Sequence, residues 1–289
     1  SRPDQHRPQP NPALAGFFIA KTMFRKFRIL ILLLVLATVG LGAWRANSRL
    51  TAWEHTIHVA VYPIAGDNSP ATASYIAALN NESFSDIAEW LQQQTAKQGL
   101  AILQPVALRV ARPLNEMPPP RPPQPSALDA IVWSLKLRWW ASQNDHIDGP
   151  KPHIRLFVLF HDPALNPSVP HSTGLSKGQI GVIHAYASRQ QRRQNAVVIA
   201  HEMLHTFGAT DKYDLVTLQP IYPQGYAEPG REPRLPQEKA EIMGGRIPTD
   251  ERTAEIPFNL ADTLIGPETA QEIGMTRGVL RSTGKNTQN

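Results

Sequence analysis

The sequence predicts an α/β fold preceded by one N-terminal transmembrane helix, and three observations predict it. Short runs rich in apolar and β-branched residues, at 56–66, 153–162 and 178–187, read as strands. Segments with helical spacing, at 83–99, 127–143 and from 188 onward, lie between and after them. An uninterrupted apolar run at 29–44 precedes them all. Strands alternating with helices favour a sheet covered by helices over an all-β or all-helical arrangement.

Residues 1–26 form a polar, proline-bearing leader, expected to be disordered and cytoplasmic, in which Met23 is a candidate start. The run "RILILLLVLATVGLGAW" follows. Phe27 and Trp44 extend it toward the roughly 20 residues a bilayer span needs, giving an anchor at 27–45. Every face of that helix is apolar, which argues against a core helix with one wet side. Arg25, Lys26 and Arg28 stand before it, so the N-terminus is expected inside and residues 51–289 outside the cytoplasm. Leu41 occupies the minus-three position before Ala43, so no A-x-A-like cleavage site follows and the helix reads as uncleaved. The expected location is the cell membrane, single-pass, with the folded part periplasmic in a Gram-negative envelope.

The net charge of +5 does not mark a nucleic-acid binder. Residues 1–50 carry eight Lys or Arg and one Asp, a net of +7, which leaves 5 − 7 = −2 for residues 51–289. The basic excess belongs to membrane topology, and no nucleic-acid partner is expected. Cysteine is absent, which removes disulfides, thiolate ligands and a cysteine nucleophile.

Along the folded part, "TIHVAVYPIAG" at 56–66 alternates as a strand, and 83–99 has helical spacing with Ser83 as its cap. Residues 101–111 read as a strand whose Pro105 restricts it to an edge or a bulge. "RPLNEMPPPRPPQPS" reads as a polyproline-like connector, and 127–143 as a helix whose Trp133, Trp139 and Trp140 pack inward. The strand at 178–187 enters a helix opened by an S-x-x-Q pair, Ser188 and Gln191. His184 in that strand is expected to pack rather than to bind metal. Beyond residue 215 the chain is proline- and glycine-rich, with a last short helix at "PETAQEIGM".

The chemistry concentrates in "VVIAHEMLHTFGATDKYD", residues 197–214. His201 and His205, four apart on a helix, present their imidazoles on one face, and Glu202 sits beside that face. Gly208 is placed to end the helix in the left-handed conformation, so the chain can turn back with Asp211. The order H-E-x-x-H-x-x-G-x-x-D supplies two nitrogens, a carboxylate oxygen and a glutamate free of the metal, which suits Zn2+. An accidental H-E-x-x-H in a chain of this length is roughly a one-in-a-hundred event. Asp214 and Glu241 are the rival carboxylates for the third ligand.

The stretch "HEMLHTFGATD" resembles the metzincin zinc-protease signature in its aspartate, snapalysin-like form, and "EIMGG" at 241–245 resembles the methionine turn beneath such sites. "DKYD" is similar to the "DxYD" of the immune-inhibitor-A-like proteases. The metzincin resemblance covers about residues 180–245. It implies zinc on His201, His205 and Asp211, Glu202 as general base and Met243 as hydrophobic floor. It also implies a small mixed sheet with an active-site helix and a loop-rich C-terminal subdomain, and it places the 178–187 strand at the edge that pairs with substrate backbone. Gly245 stands two residues after Met243 where some metzincins have a tyrosine, so that oxyanion role does not carry over. Tyr213, Tyr222 and Tyr226 are the tyrosines left for it. The implied activity is a membrane-anchored zinc endopeptidase acting on protein or peptide substrate. A zinc hydrolase of another envelope amide, such as cell-wall peptide, and a catalytically silent binding module are the alternatives.

Overall fold

The computed structural model describes residues 27–31, 33–34, 37–38, 40–41, 48–123, 126–175 and 178–276. The leader expected at 1–26 lies outside them. The anchor expected at 27–45 falls on them only in part: those described between 27 and 41 are helical. Among the described residues no helix is long and apolar enough to cross a membrane.

The folded unit runs from Asn47. Leu50, Thr51 and Trp53 are buried in it. Five strands make its main sheet: β1 (Ile57–Ala65), β2 (Val106–Val110), β3 (Ile154–His161), β4 (Thr173–Leu175) and β5 (Ile180–Tyr186). Their order is β2-β1-β3-β5-β4. The first four in that order are parallel, and β4 runs antiparallel on β5. The fold is therefore mixed α/β with a mostly parallel sheet, and β1 and β3 are buried nearly end to end, as parallel strands covered on both faces are. Pro105 stands just before β2, which is an edge strand as its proline requires. The strand leading into the histidine helix corrects the expectation: β5 is interior, and the short β4 takes the edge.

Among the described residues after 50, five helices accompany the sheet: α1 (Pro70–Ala77), α2 (Ser85–Lys97), α3 (Ala127–Gln143), α4 (Arg192–Phe207) and α5 (Pro267–Glu272). Ser69 caps α1, accepting from the Ala71 amide, with Pro70 opening the first turn. Ser83 does not cap α2. It closes a capping box with Asn80 around the 3-10 turn Asn81–Phe84 that precedes α2. Apolar side chains on the two sheet faces make separate cores. Val59 and Val61 pack with α2, α4 and the C-terminal part, whereas Ala60, Tyr62 and Ile64 pack with α3. On α3, Trp133 and Trp140 point inward as expected, but Trp139 is 68% exposed. The proline-rich connector lies on this side, where Pro119 accepts a hydrogen bond from the Trp133 indole at 3.0 Å.

After α4 the chain is loop-rich, as expected. Among the described residues it pairs in two short ribbons, β6 (Ala240–Glu241) with β9 (Thr263–Leu264) and β7 (Ile247–Pro248) with β8 (Ala254–Glu255), and in single bridges between Tyr213 and Pro220 and between Tyr226 and Ala240, before α5.

Candidate metal centre

Helix α4 begins without a side-chain cap hydrogen bond, and the expected Ser188–Gln191 pair does not form. Asn195, one turn in, replaces it. Its carboxamide accepts from the Tyr186 amide at 3.0 Å and donates to the Tyr186 carbonyl at 2.8 Å, tying the first turn of α4 to the end of β5. The other end is fixed by Gly208 at φ 113°, a left-handed conformation open to glycine at little cost. Between these ends Ile199, Ala200, Met203 and Phe207 are buried, and Trp53 stacks on Phe207 with ring centroids 5.0 Å apart.

The reversal at Gly208 does two things at once. It brings the Ala209 carbonyl to 2.8 Å from His205 Nδ1, and it returns Asp211 so that Oδ1 lies 3.1 Å from Nε2 of both histidines. His201 Nδ1 donates to the Ile242 carbonyl at 2.9 Å. A carbonyl can only accept, so each Nδ1 carries a hydrogen and each Nε2 is left to face the point shared with Asp211. Tetrahedral zinc with bonds of about 2.0–2.1 Å would separate its ligand atoms by roughly 3.3–3.4 Å. The 3.1 Å spacing is close to that, and among the described residues these three form the one group placed to hold a metal ion. The electrostatics agree. Burial works to lower His201, but the Asp211 carboxylate, the Glu202 charge and the Ile242 carbonyl outweigh it and push it up to about 9. Burial likewise opposes ionisation of Asp211, yet the two histidines hold its carboxyl well below the usual range. The cluster favours positive charge at its centre.

Glu202 is buried, and its Oε2 has no hydrogen-bond partner. Burial raises its carboxyl above the ordinary value against the pull of His201 and His205, while Asp211 adds to the rise. The Gly174 amide steadies the carboxylate while Oε2 stays unpartnered, so a buried acceptor beside the two histidines is placed to take a proton. Against it runs β4. A Cβ on Gly174 would lie 2.5 Å from the Glu202 carbonyl oxygen and 2.5 Å from His205 Cβ, so strand and helix approach this closely only through glycine. Gly174→Ala is expected to push β4 off α4 and lower the melting temperature by several degrees, because the added methyl meets backbone that cannot give way. A wild-type melting temperature in that variant would show that strand and helix tolerate a methyl there.

Neither rival carboxylate joins the cluster. Asp214 is turned into its own loop, where Oδ1 accepts from the amides of Val216 and Thr217 at 2.9 and 2.7 Å. Glu241 is fully buried and accepts from the Gly244 and Gly266 amides and the Thr269 hydroxyl, at 2.9, 3.1 and 2.7 Å. It joins the turn at 241–245 to the start of α5. Met243 on that turn is buried in the same core as Met203 and Phe207, and the turn's Ile242 supplies the carbonyl that orients His201. His184 faces away from the cluster toward His161, with ring nitrogens 2.9 Å apart.

Glu272 and an adjoining pocket have no counterpart in the sequence-based expectations, and Tyr213 is the one of the three candidate tyrosines whose ring lies against His201. Glu272 on α5 accepts from the Thr210 amide and hydroxyl at 3.0 and 2.6 Å and from buried Lys212 at 2.8 Å, which fixes the two residues flanking Asp211. Tyr213 lies with its ring 6.3 Å from that of His201. Burial, then the negative charges of Asp211 and Glu202, push its hydroxyl up to about 12, so it keeps its proton. A pocket of about 260 Å³ opens beside His201, with Val197, Val198, Leu218 and Ile256 among its walls. Glu272 is some sixty residues from its partners, and no sequence period signals such a contact.

No protein-family model matches the chain, and no curated protein matches it. A solved structure described as "Structure of a chaperone-substrate complex" overlays on 78% of this chain at 13% identity with a TM-score of 0.39. The match spans 34% of that chain, about a third of its length.

Proposed function

We propose that this chain is a zinc-dependent endopeptidase of metzincin type, anchored by its N-terminal apolar run with the folded unit on the extracytoplasmic side. One observation carries the reading. His201 Nε2, His205 Nε2 and Asp211 Oδ1 converge on one point while backbone carbonyls occupy both Nδ1 atoms. Zinc held there by His201, His205 and Asp211 would supply a Lewis acid for a water and the scissile carbonyl. Glu202 is placed to take a proton from a water beside that point and to pass it to the leaving amine. Among the described residues strand β4 has a strand partner on one side alone, so an extended peptide can add to its other side by backbone pairing beside Glu202. The Tyr213 hydroxyl is the donor within the site suited to a developing oxyanion, and the pocket beside His201 suits an apolar side chain. Topology rests on Arg25, Lys26 and Arg28 standing before the apolar run.

Metal analysis of the purified full chain is expected to give one zinc per molecule, and casein or a peptide library is expected to be cut until a chelator is added. A metal-free protein that cleaves nothing would leave the binding-module alternative. Bound zinc with hydrolysis confined to cell-wall peptide amides would move the substrate class to the other envelope hydrolase.

A further inference from the structure

The pocket beside His201 combines apolar walls with one fixed cation. Gln194, Val197, Val198 and His201 follow one another at helical spacing on α4, share a face and make one wall. Arg246 and Ile256 line the pocket as well. In the ribbon of β7 and β8, Ile247 stands opposite Glu255 and Pro248 opposite Ala254, so the same register continued by one residue sets Arg246 opposite Ile256 on one side of the ribbon. No Asp or Glu is in the walls. Among the described residues the half-buried Arg246 side chain has no hydrogen bond or ion pair. The other half-buried arginines and lysines are all held, as Arg109 is by the Asp148 and Pro150 carbonyls and Arg155 by Asp145.

Resting on the zinc-peptidase reading, we propose that Arg246 receives a carboxylate of the substrate residue that enters this pocket beside the scissile bond, so that the site selects glutamate or a chain end there. A guanidinium keeps its charge and its five donors, and leaving them half-buried without an acceptor is costly. A carboxylate answers them with paired, charge-assisted hydrogen bonds. Val197, Val198 and Ile256 offer apolar surface to the methylenes that carry it, and the half-buried Gln194 carboxamide adds a neutral donor in the same pocket. An apolar side chain would fill the same walls but leave the cation unanswered.

Acetylated and amidated octapeptides of alanine and glycine, carrying one Glu or one Gln at each position in turn, are offered to the zinc-loaded full chain, and the new termini are read by mass spectrometry. Where the residue falls at one fixed position beside the cut, kcat/KM for the Glu peptide is expected to exceed that of its Gln twin about tenfold or more, as a charge-assisted hydrogen bond in a half-open site allows. Arg246→Met is expected to bring this ratio close to one, and Arg246→Glu to invert it. Each ratio compares two peptides on one sample, so partial misfolding does not imitate the result. A third set carries Gln and a free C-terminus, and a preference confined to that set assigns the carboxylate to the chain end. The same peptides are titrated calorimetrically into the Glu202→Gln chain, where the carboxylate-bearing twin is expected to bind about tenfold tighter, and Arg246→Met to abolish the difference. Cleavage without a carboxylate preference, or with one that persists in Arg246→Met, overturns the proposal and leaves the peptidase reading standing. No cleavage, with tighter binding of the carboxylate peptide that depends on Arg246, keeps the proposed recognition and removes the peptidase reading. Equal binding without cleavage overturns both.

Discussion

Glu202→Gln is expected to leave zinc bound and to lower peptide turnover by roughly 10²-fold to 10⁴-fold, the usual cost of removing a general base. The substitution keeps the shape and volume of a buried side chain, so the fold should survive it. It removes the carboxylate whose Oε2 is buried without a hydrogen-bond partner. Because Glu202 belongs to none of the three converging ligand atoms, zinc per chain should match the wild type when measured on the same sample. Zinc retained with full turnover would rule out the proton-transfer role. Zinc lost would make Glu202 a ligand and break the mechanism differently.

Asp211→Ala should strip the site. It deletes one of three protein ligands and leaves two imidazoles, so zinc affinity should fall by more than the roughly 10-fold to 100-fold typical of an outer-shell partner. Zinc per chain after dialysis against a mild competing chelator measures this. Asp214→Ala is the informative control. The sequence by itself leaves Asp214 a rival for the third ligand, but its Oδ1 closes its own loop, so its removal should change zinc affinity only a few-fold. Glu241→Gln should keep zinc and lower thermal stability, since its oxygens hold the 241–245 turn to α5. Stoichiometric zinc in Asp211→Ala together with its loss in Glu241→Gln would dissolve the assignment of the third ligand.

Much of the candidate site was legible because its geometry is local. Four residues along a helix put His201 beside His205 whatever the rest of the fold does, and the glycine after the last turn permits the reversal that returns Asp211. Strand existence was legible for the same reason. Long runs such as 154–161 are apolar because a parallel strand covered on both faces has no wet side. The three-residue β4 carries no period, and "HSTGLSKG" reads as loop until β5 is there to pair with it. The helix start was misplaced because Ser188 and Gln191 match a capping pattern, whereas Asn195 caps the join between strand and helix through Tyr186.

By itself the sequence determined the donor types, their order on one helix and the turn that follows it, and it determined the strand-rich and helix-rich segments of the α/β fold. These depend on backbone periods and on single-residue conformational preferences, which act over a turn or two. Tertiary structure decided which carboxylate meets the histidines, which strand stands at the sheet edge, and that Trp139 on α3 stays in the open. It also decided that Glu272 holds the Asp211 loop. Each of these is settled by which distant segments exclude water from one another, and burial of that kind has no signature in the spacing of neighbouring residues.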